Sequence, residues 1–256
     1  MMNTDNNREI KIGASTRVVA HRGLSGVCPE NTLPAFAAAV ALGADEIELD
    51  LWLSRDGELV VCHDAQVDRT SNGHGFIRDM DWADIRALDA GSWHHPDWMG
   101  VPFCRLDEVL LQTGGRVMMN LHIKEPGPDG CVLRRSRDLA TKYGLLHHIY
   151  FAGEQEVLAW AVKIAPEVVR CCLAVPEDGA RMVDCAMEYG CSRVQFWNPN
   201  FSPSDIERAH ANGIVCNLFA GDRPDTPEEA VRLCRMGIDA ILTNWTNTVL
   251  PAVRRL

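Results

Sequence analysis

The sequence predicts an α/β fold, either a closed (β/α)8 barrel or an open doubly wound sheet, and three observations lead there. The chain has 256 residues and no Pro/Ser-rich linker, which favours one large domain with a sizeable core. Short strand-like runs alternate with amphipathic helix patterns along most of its length. Neither GxGxxG nor GxxxxGK occurs, which weakens the nucleotide-binding version of the open sheet, whereas a barrel fits the length.

Residues 1–16 are polar and aperiodic and read as a loose arm before a single domain spanning 17–256. The candidate strands are Arg17–Ala20, Glu46–Leu51, Val117–Ile123, His148–Ala152, Val168–Leu173, Arg193–Phe196, Val215–Phe219 and Ala240–Thr243. Helix patterns fall at 31–42, 106–113, 130–143, 154–164, 178–189, 203–212 and 226–236. Several have clear starts: Asn31 or Thr32 before an Ala-rich run, Ser202-Pro203, and Thr226-Pro227 with Glu228 and Glu229 in the first turn.

Leu59–His63 is also strand-like, but it follows Leu53 too closely for a parallel crossover. It must turn back at Asp56-Gly57 as an antiparallel hairpin, which sets Asp50 opposite Cys62 and His63. Residues 65–103, rich in Gly, Trp and His, carry no clear barrel element and form an insertion placed to cover a site beside His63.

A formal charge of −10 and a pI near 5.3 argue against nucleic acid or an anionic membrane surface as partner and favour a small soluble ligand. The cysteines lie in apolar runs and the N-terminus lacks an apolar signal segment, so buried thiols in a reducing cytoplasm are expected. No apolar stretch reaches the length of an ordinary transmembrane helix, so stable membrane insertion is not expected; the oligomeric state is left open.

Catalytic groups of a barrel sit at the carboxyl ends of its strands, and polar clusters occupy such positions here: His21-Arg22, Glu48 with Asp50, His63-Asp64, and His122 with Lys124. Glu48 and Asp50 differ by two, so both point inward from one strand and repel unless a cation lies between them. Oxygen ligands suit Mg²⁺, Ca²⁺ or Mn²⁺. His122 and Lys124 repeat that spacing on the next strand. Arg22 and Lys124 would give fixed positive charge for an anion, Arg22 in bidentate fashion. Two histidines, His21 and His63, fit acid and base roles because imidazole titrates near neutrality. Together these groups describe a site for attack on a phosphoryl centre.

At these residues the sequence resembles the glycerophosphodiester phosphodiesterase family, a branch of the phosphatidylinositol-phospholipase-C-like barrels. The matching text is AHRGLSGVCPENTLPAFAAAVALGADEIELDLWLSRDGELVVCHD, then DRTSNGHGFIRD and ALDAGSWHHPDW, with RLDEVL and GIDAILTN resembling the family more weakly further on. The resemblance implies a TIM barrel with a small insertion and metal-dependent hydrolysis of glycerophosphodiesters to sn-glycerol 3-phosphate and an alcohol. It implies His21 and His63 as the acid/base pair, Arg22 and Lys124 as phosphate contacts, and Glu48 and Asp50 as metal ligands. Glu30 and Asn31 match the Pro-Glu-Asn-Thr signature near the site, although Asn31 is equally well read as a helix cap.

Three departures from the family pattern stand out. The third strand commonly reads Asn-Ile-Glu-Ile-Lys and here reads Asn120-Leu121-His122-Ile123-Lys124, so His122 replaces a carboxylate ligand and favours Mn²⁺, Zn²⁺ or another transition metal. The usual Trp-Thr-Val-Asn is Phe219-Ala220-Gly221-Asp222, with Asn217 on the same face as Phe219, and both are expected to line the substrate pocket. The usual Thr-Asp of the last strand is Thr243-Asn244. The rival readings are a phosphate-ligand binding protein that lost the chemistry, which the His122 replacement motivates, and a phosphodiester lyase or phospholipase D-like enzyme.

Overall fold

A computed structural model describes residues 15–197, 199–219 and 225–256. Most of the expected N-terminal arm, and Ala220, Gly221 and Asp222, lie outside the described residues.

Eight parallel strands close a ring: β1 (Arg17–Ala20), β2 (Glu46–Leu53), β5 (Met118–Ile123), β6 (Ile149–Gly153), β7 (Val169–Cys172), β8 (Arg193–Trp197), β9 (Val215–Phe219) and β10 (Ala240–Thr243). The first strand decides between barrel and open sheet. β1 pairs with β10 through Arg17↔Ala240 and with β2 through Val19↔Glu46, so the ring closes. Two short strands, β3 (Leu59–Val61) and β4 (Cys104–Arg105), lie outside it and run antiparallel.

Helices α1 (Leu33–Leu42), α3 (Leu106–Thr113), α4 (Cys131–Lys142), α5 (Gln155–Ile164), α6 (Gly179–Glu188), α7 (Pro203–Ala211), α8 (Pro227–Arg235) and α9 (Thr246–Val253) follow the barrel strands. A short α2 (Trp82–Arg86) sits in the insertion. Thr32, not Asn31, caps α1, and Ser202 closes a reciprocal capping box with Asp205 at the start of α7. The pattern reading had no counterpart for α2 or α9. The first has a single buried apolar residue, Ile85, and the second carries Pro251 in its interior, so neither presents the uninterrupted periodicity that marks a helix.

Alternation along the strands sorts side chains into an outer apolar layer under the helices and an inner layer that is unusually polar. On β2, Ile47, Leu49 and Leu51 join the main apolar cluster with Phe36, Leu121 and Phe151, while Glu46, Glu48 and Asp50 face inward. The strand registers stack the inward residues in layers drawn from alternate strands. From the bottom upward these contain Glu46, Tyr150 and Arg193; then Asn120, Cys171 and Asn217; then Glu48 and Gln195; then His21, His122 and Phe219 at the mouth.

The lowest of these layers is held by charge. Glu46 accepts from the Tyr150 hydroxyl at 2.7 Å and from Arg193 at 3.1 Å, with Arg17 Nε also 3.1 Å away. Burial works against the Glu46 carboxylate, but Arg193 and Arg17 outweigh it and hold the group below the usual carboxylate value.

The hairpin joins β2 to β3 with Leu51 opposite Val61 and Leu53 opposite Leu59, and it turns through Gly57 at φ +85°. Cys62 N then donates to Asp50 O at 3.1 Å, which brings the following histidine to the end of β2. The insertion packs its own apolar cluster, Val67, Ile77, Ile85, Ala90 and Phe103, onto Val60 and Cys62 of that hairpin. No helix among the described residues is long and apolar enough to cross a membrane.

Candidate active site

The carboxyl end of the barrel gathers His21, Arg22, Glu48, Asp50, His63, His122 and Lys124, each delivered by a strand end or the loop after it. Glu48, Asp50 and His122 place ligand atoms within 4.8 Å of one another. His122 Nδ1 is 3.0 Å from Asp50 Oδ1, and Lys124 Nζ is 2.9 Å from the same oxygen. Both carboxylates are buried, and they respond in opposite directions. Burial and the neighbouring Asp50 push Glu48 up to about 8. Asp50 suffers the same burial, yet Lys124, His122 and Arg22 hold it well below the usual range. Two inward carboxylates in one dry mouth leave a demand for positive charge that these side chains only partly meet. The donor set therefore fits a divalent cation, with one imidazole and two carboxylates as ligands.

The loop after β1 is built to serve this pair. Arg22 has φ +55°, and in that left-handed conformation its backbone N–H donates to Glu48 Oε2 at 2.9 Å. Gly23 continues the turn at φ +81°, and a Cβ there would lie 2.7 Å from the backbone of Ala35. Asn31, also left-handed at φ +56°, donates its amide to Asp50 Oδ2 at 2.8 Å and accepts from Asp50 N at 3.3 Å. Of the two sequence readings of Asn31, the structure supports the one at the site.

The histidines have unlike partners. His21 Nδ1 lies 2.7 Å from Asn244 Oδ1, and its ring packs against Phe219 at 4.5 Å between centroids. Burial first, and then Arg22, lower His21 to about 3, so its ring is neutral with Nε2 bare, 3.9 Å from Glu48. His63 Nδ1 lies 2.6 Å from the Asp64 carboxylate. Burial lowers His63 as well, with Lys124 and Arg22 adding to it, against the opposing pull of Asp50 and Asp64; the hairpin register, with Cys62 N on Asp50 O at 3.1 Å, sets it at the end of the strand that carries the carboxylates.

Glu30 turns both oxygens to guanidinium groups, Arg22 Nη1 at 2.8 Å and Arg69 at 2.7 and 3.0 Å. Its place is behind Arg22. Phe219 stands at the mouth with Trp197 edge-on at 5.4 Å. Asn217 lies below it, fully buried, donating to the Tyr150 hydroxyl at 3.3 Å, so its side chain belongs to the barrel interior and not to the mouth.

Sequence reasoning gave no role to Asp64, Arg69 or Asp225 and noted Asn244 only as a departure. Asp225 accepts from Thr243 Oγ1 at 2.7 Å and Asn244 N at 2.6 Å, fixing the segment that orients His21. The adjacency of His63 and Asp64 was a usable signal for Asp64, and Arg69 stands in the matching segment DRTSNGHGFIRD; nothing local marks Asp225.

A second group of potential ligands, His210, Cys216 and Asp239, lies at the opposite end of the barrel. There Asp239 Oδ2 already accepts from Cys216 N and His210 Nε2, both at 2.8 Å. Asp45 makes the equivalent strand-to-strand bond to Val18 N at 2.9 Å, so this carboxylate is a staple between strands.

The profile of the glycerophosphoryl diester phosphodiesterase family matches residues 21–248. The chain is 32% identical over 252 residues to the glycerophosphodiester phosphodiesterase of Caldanaerobacter subterraneus, an alignment covering 94% of this chain and 98% of the relative. Among solved structures it is similar to the glycerophosphodiester phosphodiesterase of Agrobacterium tumefaciens, with a TM-score of 0.79 and 26% identity over 92% of this chain and 99% of that one. It shares its fold with a phosphodiesterase of Oleispira antarctica solved with the product sn-glycerol-3-phosphate, at a TM-score of 0.83 and 24% identity over 93% of this chain and 96% of that one.

Proposed function

The chain belongs to the glycerophosphoryl diester phosphodiesterase family and is a phosphoric diester hydrolase, and from that premise we propose that it cleaves glycerophosphodiesters to sn-glycerol 3-phosphate and an alcohol, using one divalent ion and a histidine pair. The observation that carries this reading is the meeting of His21 and His63 around Glu48, Asp50 and His122 with Arg22 and Lys124 beside them. A phosphate-binding protein would need the cations and not the proton-transfer pair.

Bound by Glu48, Asp50 and His122, a divalent ion would supply Lewis-acid polarisation of a nonbridging phosphoryl oxygen. An imidazole among the ligands favours Mn²⁺ or another transition metal over Ca²⁺ and Mg²⁺. Arg22 and Lys124 contribute charge that exists before the reaction begins, so no reorganisation is needed as negative charge builds on the phosphoryl oxygens. Glu30 acts on the substrate through Arg22, whose guanidinium it holds. Phe219 and Trp197 wall one side of the mouth and limit the water that reaches it.

The unlike partners divide the proton chemistry. The amide oxygen of Asn244 fixes the His21 ring and supports its charged form against the burial that lowers it, so Nε2 is presented bare to accept a proton from the attacking hydroxyl, whether water or a hydroxyl of the substrate beside the phosphoester. The carboxylate of Asp64 stabilises an imidazolium on His63, whose Nε2 gives its proton to the departing alkoxide as the P–O bond breaks; His21 then releases the proton it took to solvent, and His63 regains one from solvent.

Purified protein assayed with glycerophosphocholine and related diesters, in Mn²⁺, Mg²⁺, Ca²⁺ or Zn²⁺, should release sn-glycerol 3-phosphate, with His21→Ala and His63→Ala each abolishing turnover. Absence of turnover of every diester with every metal would overturn the reading.

A further inference from the structure

Two polar couples flank the mouth on separate segments. Arg22 with Glu30 lies on the loop after β1, and His63 with Asp64 lies after β3. One side chain from the insertion touches both. Arg69 sends Nε to Asp64 Oδ2 at 2.6 Å, Nη1 to Glu30 Oε2 at 3.0 Å and Nη2 to Glu30 Oε1 at 2.7 Å. The other oxygen of Asp64 faces His63 Nδ1 at 2.6 Å, and Glu30 Oε1 also receives Arg22 Nη1 at 2.8 Å. The turn carrying Arg69 is fixed by Val67 and Thr70, both buried, and by Ser71 Oγ donating to Val67 O at 2.7 Å. Trp93, from the far end of the same insertion, sets its ring 5.9 Å from the guanidinium carbon.

We propose that Arg69 is a positioning residue of the phosphodiesterase site, a clasp from the insertion that sets the phosphate-contacting Arg22 and the proton-donating His63 in register with each other. The proposal rests on the function assigned above. Three features carry it. A guanidinium presents its N–H groups in one rigid plane, so it can grip both oxygens of one carboxylate and one oxygen of another at once, which an ammonium cannot do. Each carboxylate it grips is spent on one working residue, so a displacement of Arg69 reaches both halves of the chemistry. The pair with Asp64 is open to solvent, Arg69 being 43% and Asp64 33% exposed, and an ion pair this exposed contributes little to folding; Glu30, at 11%, is more buried but keeps Arg22 as a partner when Arg69 is removed. Its use is therefore in geometry. The insertion thus becomes part of the active site.

The test is steady-state kinetics with glycerophosphocholine and Mn²⁺ on wild type, Arg69→Ala, Arg69→Lys, Glu30→Gln, Asp64→Asn and the Glu30→Gln/Asp64→Asn double variant with and without Arg69→Ala. Glu30→Gln should mainly raise KM and Asp64→Asn mainly lower kcat. Arg69→Ala should do both, with kcat/KM down on the order of 100-fold, the scale of a misplaced catalytic group, at an unchanged melting temperature. Arg69→Lys should recover only part of the loss. In the double-variant background Arg69→Ala should cost less than about threefold, because its targets are gone. An undiminished loss in that background, no loss in the single variant, or a loss matched by a fall in melting temperature overturns the proposal. Should wild type turn over no diester, the functional reading fails by itself and the clasp is judged by calorimetric binding of sn-glycerol 3-phosphate. Weakening by Arg69→Ala that disappears in the Glu30→Gln background supports it, and equal weakening in both overturns it.

Discussion

Metal binding at the mouth should release a proton, and Glu48 is its source. Burial and the charge of Asp50 raise Glu48 to about 8, so below that pH the metal-free pocket holds this carboxyl protonated. A cation takes the carboxylate form, and apparent affinity should therefore climb tenfold per pH unit up to about pH 8 and then level off. From pH 6 to the plateau the gain works out at about 100-fold, because each unit between the working pH and the group's own value is one factor of ten. Burial lowers His122 below the ordinary imidazole value, so any proton it gives up on binding belongs to the acid end of this range. The measurement is calorimetric titration of Mn²⁺ at several pH values in two buffers of different ionisation enthalpy, which counts protons directly. Wild type should release close to one proton at pH 6 and few above pH 8, whereas Glu48→Gln should bind weakly with no proton released and no pH slope. A flat affinity across this range in wild type would refute the electrostatic account of the carboxylate pair.

Glu46→Gln leaves Arg17 and Arg193 facing a neutral group in the barrel floor and should destabilise the fold by about 3–5 kcal/mol, read from urea unfolding. Gly23→Ala forces a side chain into a left-handed turn 2.7 Å from Ala35, so stability should fall by more than about 1 kcal/mol and the Arg22 N–H to Glu48 bond should be lost, seen as weaker Mn²⁺ binding. His21 is neutral in the fold down to about 3, whereas the unfolded chain takes up a proton near 6.5. Its contribution is therefore complete above pH 6.5 and shrinks as pH falls towards 3, by about 2 kcal/mol at pH 5, and His21→Gln should show that much less loss of unfolding free energy between pH 7 and pH 5.

The barrel was legible because its strands are short apolar runs between helices with ordinary caps, and all eight expected strands occur with ends shifted by a residue or two. The hairpin was legible for a geometric reason: too few residues separate Leu53 from Leu59 for anything but a reversal, and the register that follows from a reversal about Asp56 is the one seen. The inward direction of Glu48 and Asp50 followed from the period of a strand. Asn217 shares that parity with Phe219, and parity gives the face without the depth. It therefore could not say that Asn217 would be buried against Tyr150 while Phe219 reached the mouth.

By itself the sequence determined the strands, their order along the chain, which side chains share a face and the chemistry those residue types can perform, since these depend on spacing along one chain and on side-chain type. Tertiary structure alone decided what each working group leans on: Asn31 on Asp50, Asn244 on His21, and Arg69 on Glu30 and Asp64 together. The physical reason is that all of these bonds but the one from Arg69 to Asp64 join residues 19 or more positions apart along the chain, and Asn244 meets His21 only because the last strand closes against the first. A pKa is set in the same way. Glu48 and Asp50 are two positions apart on one strand with the same kind of side chain; burial acts against both, the charge of Asp50 adds to it at Glu48, and Lys124 and His122, which the closed barrel brings to Asp50, outweigh it there.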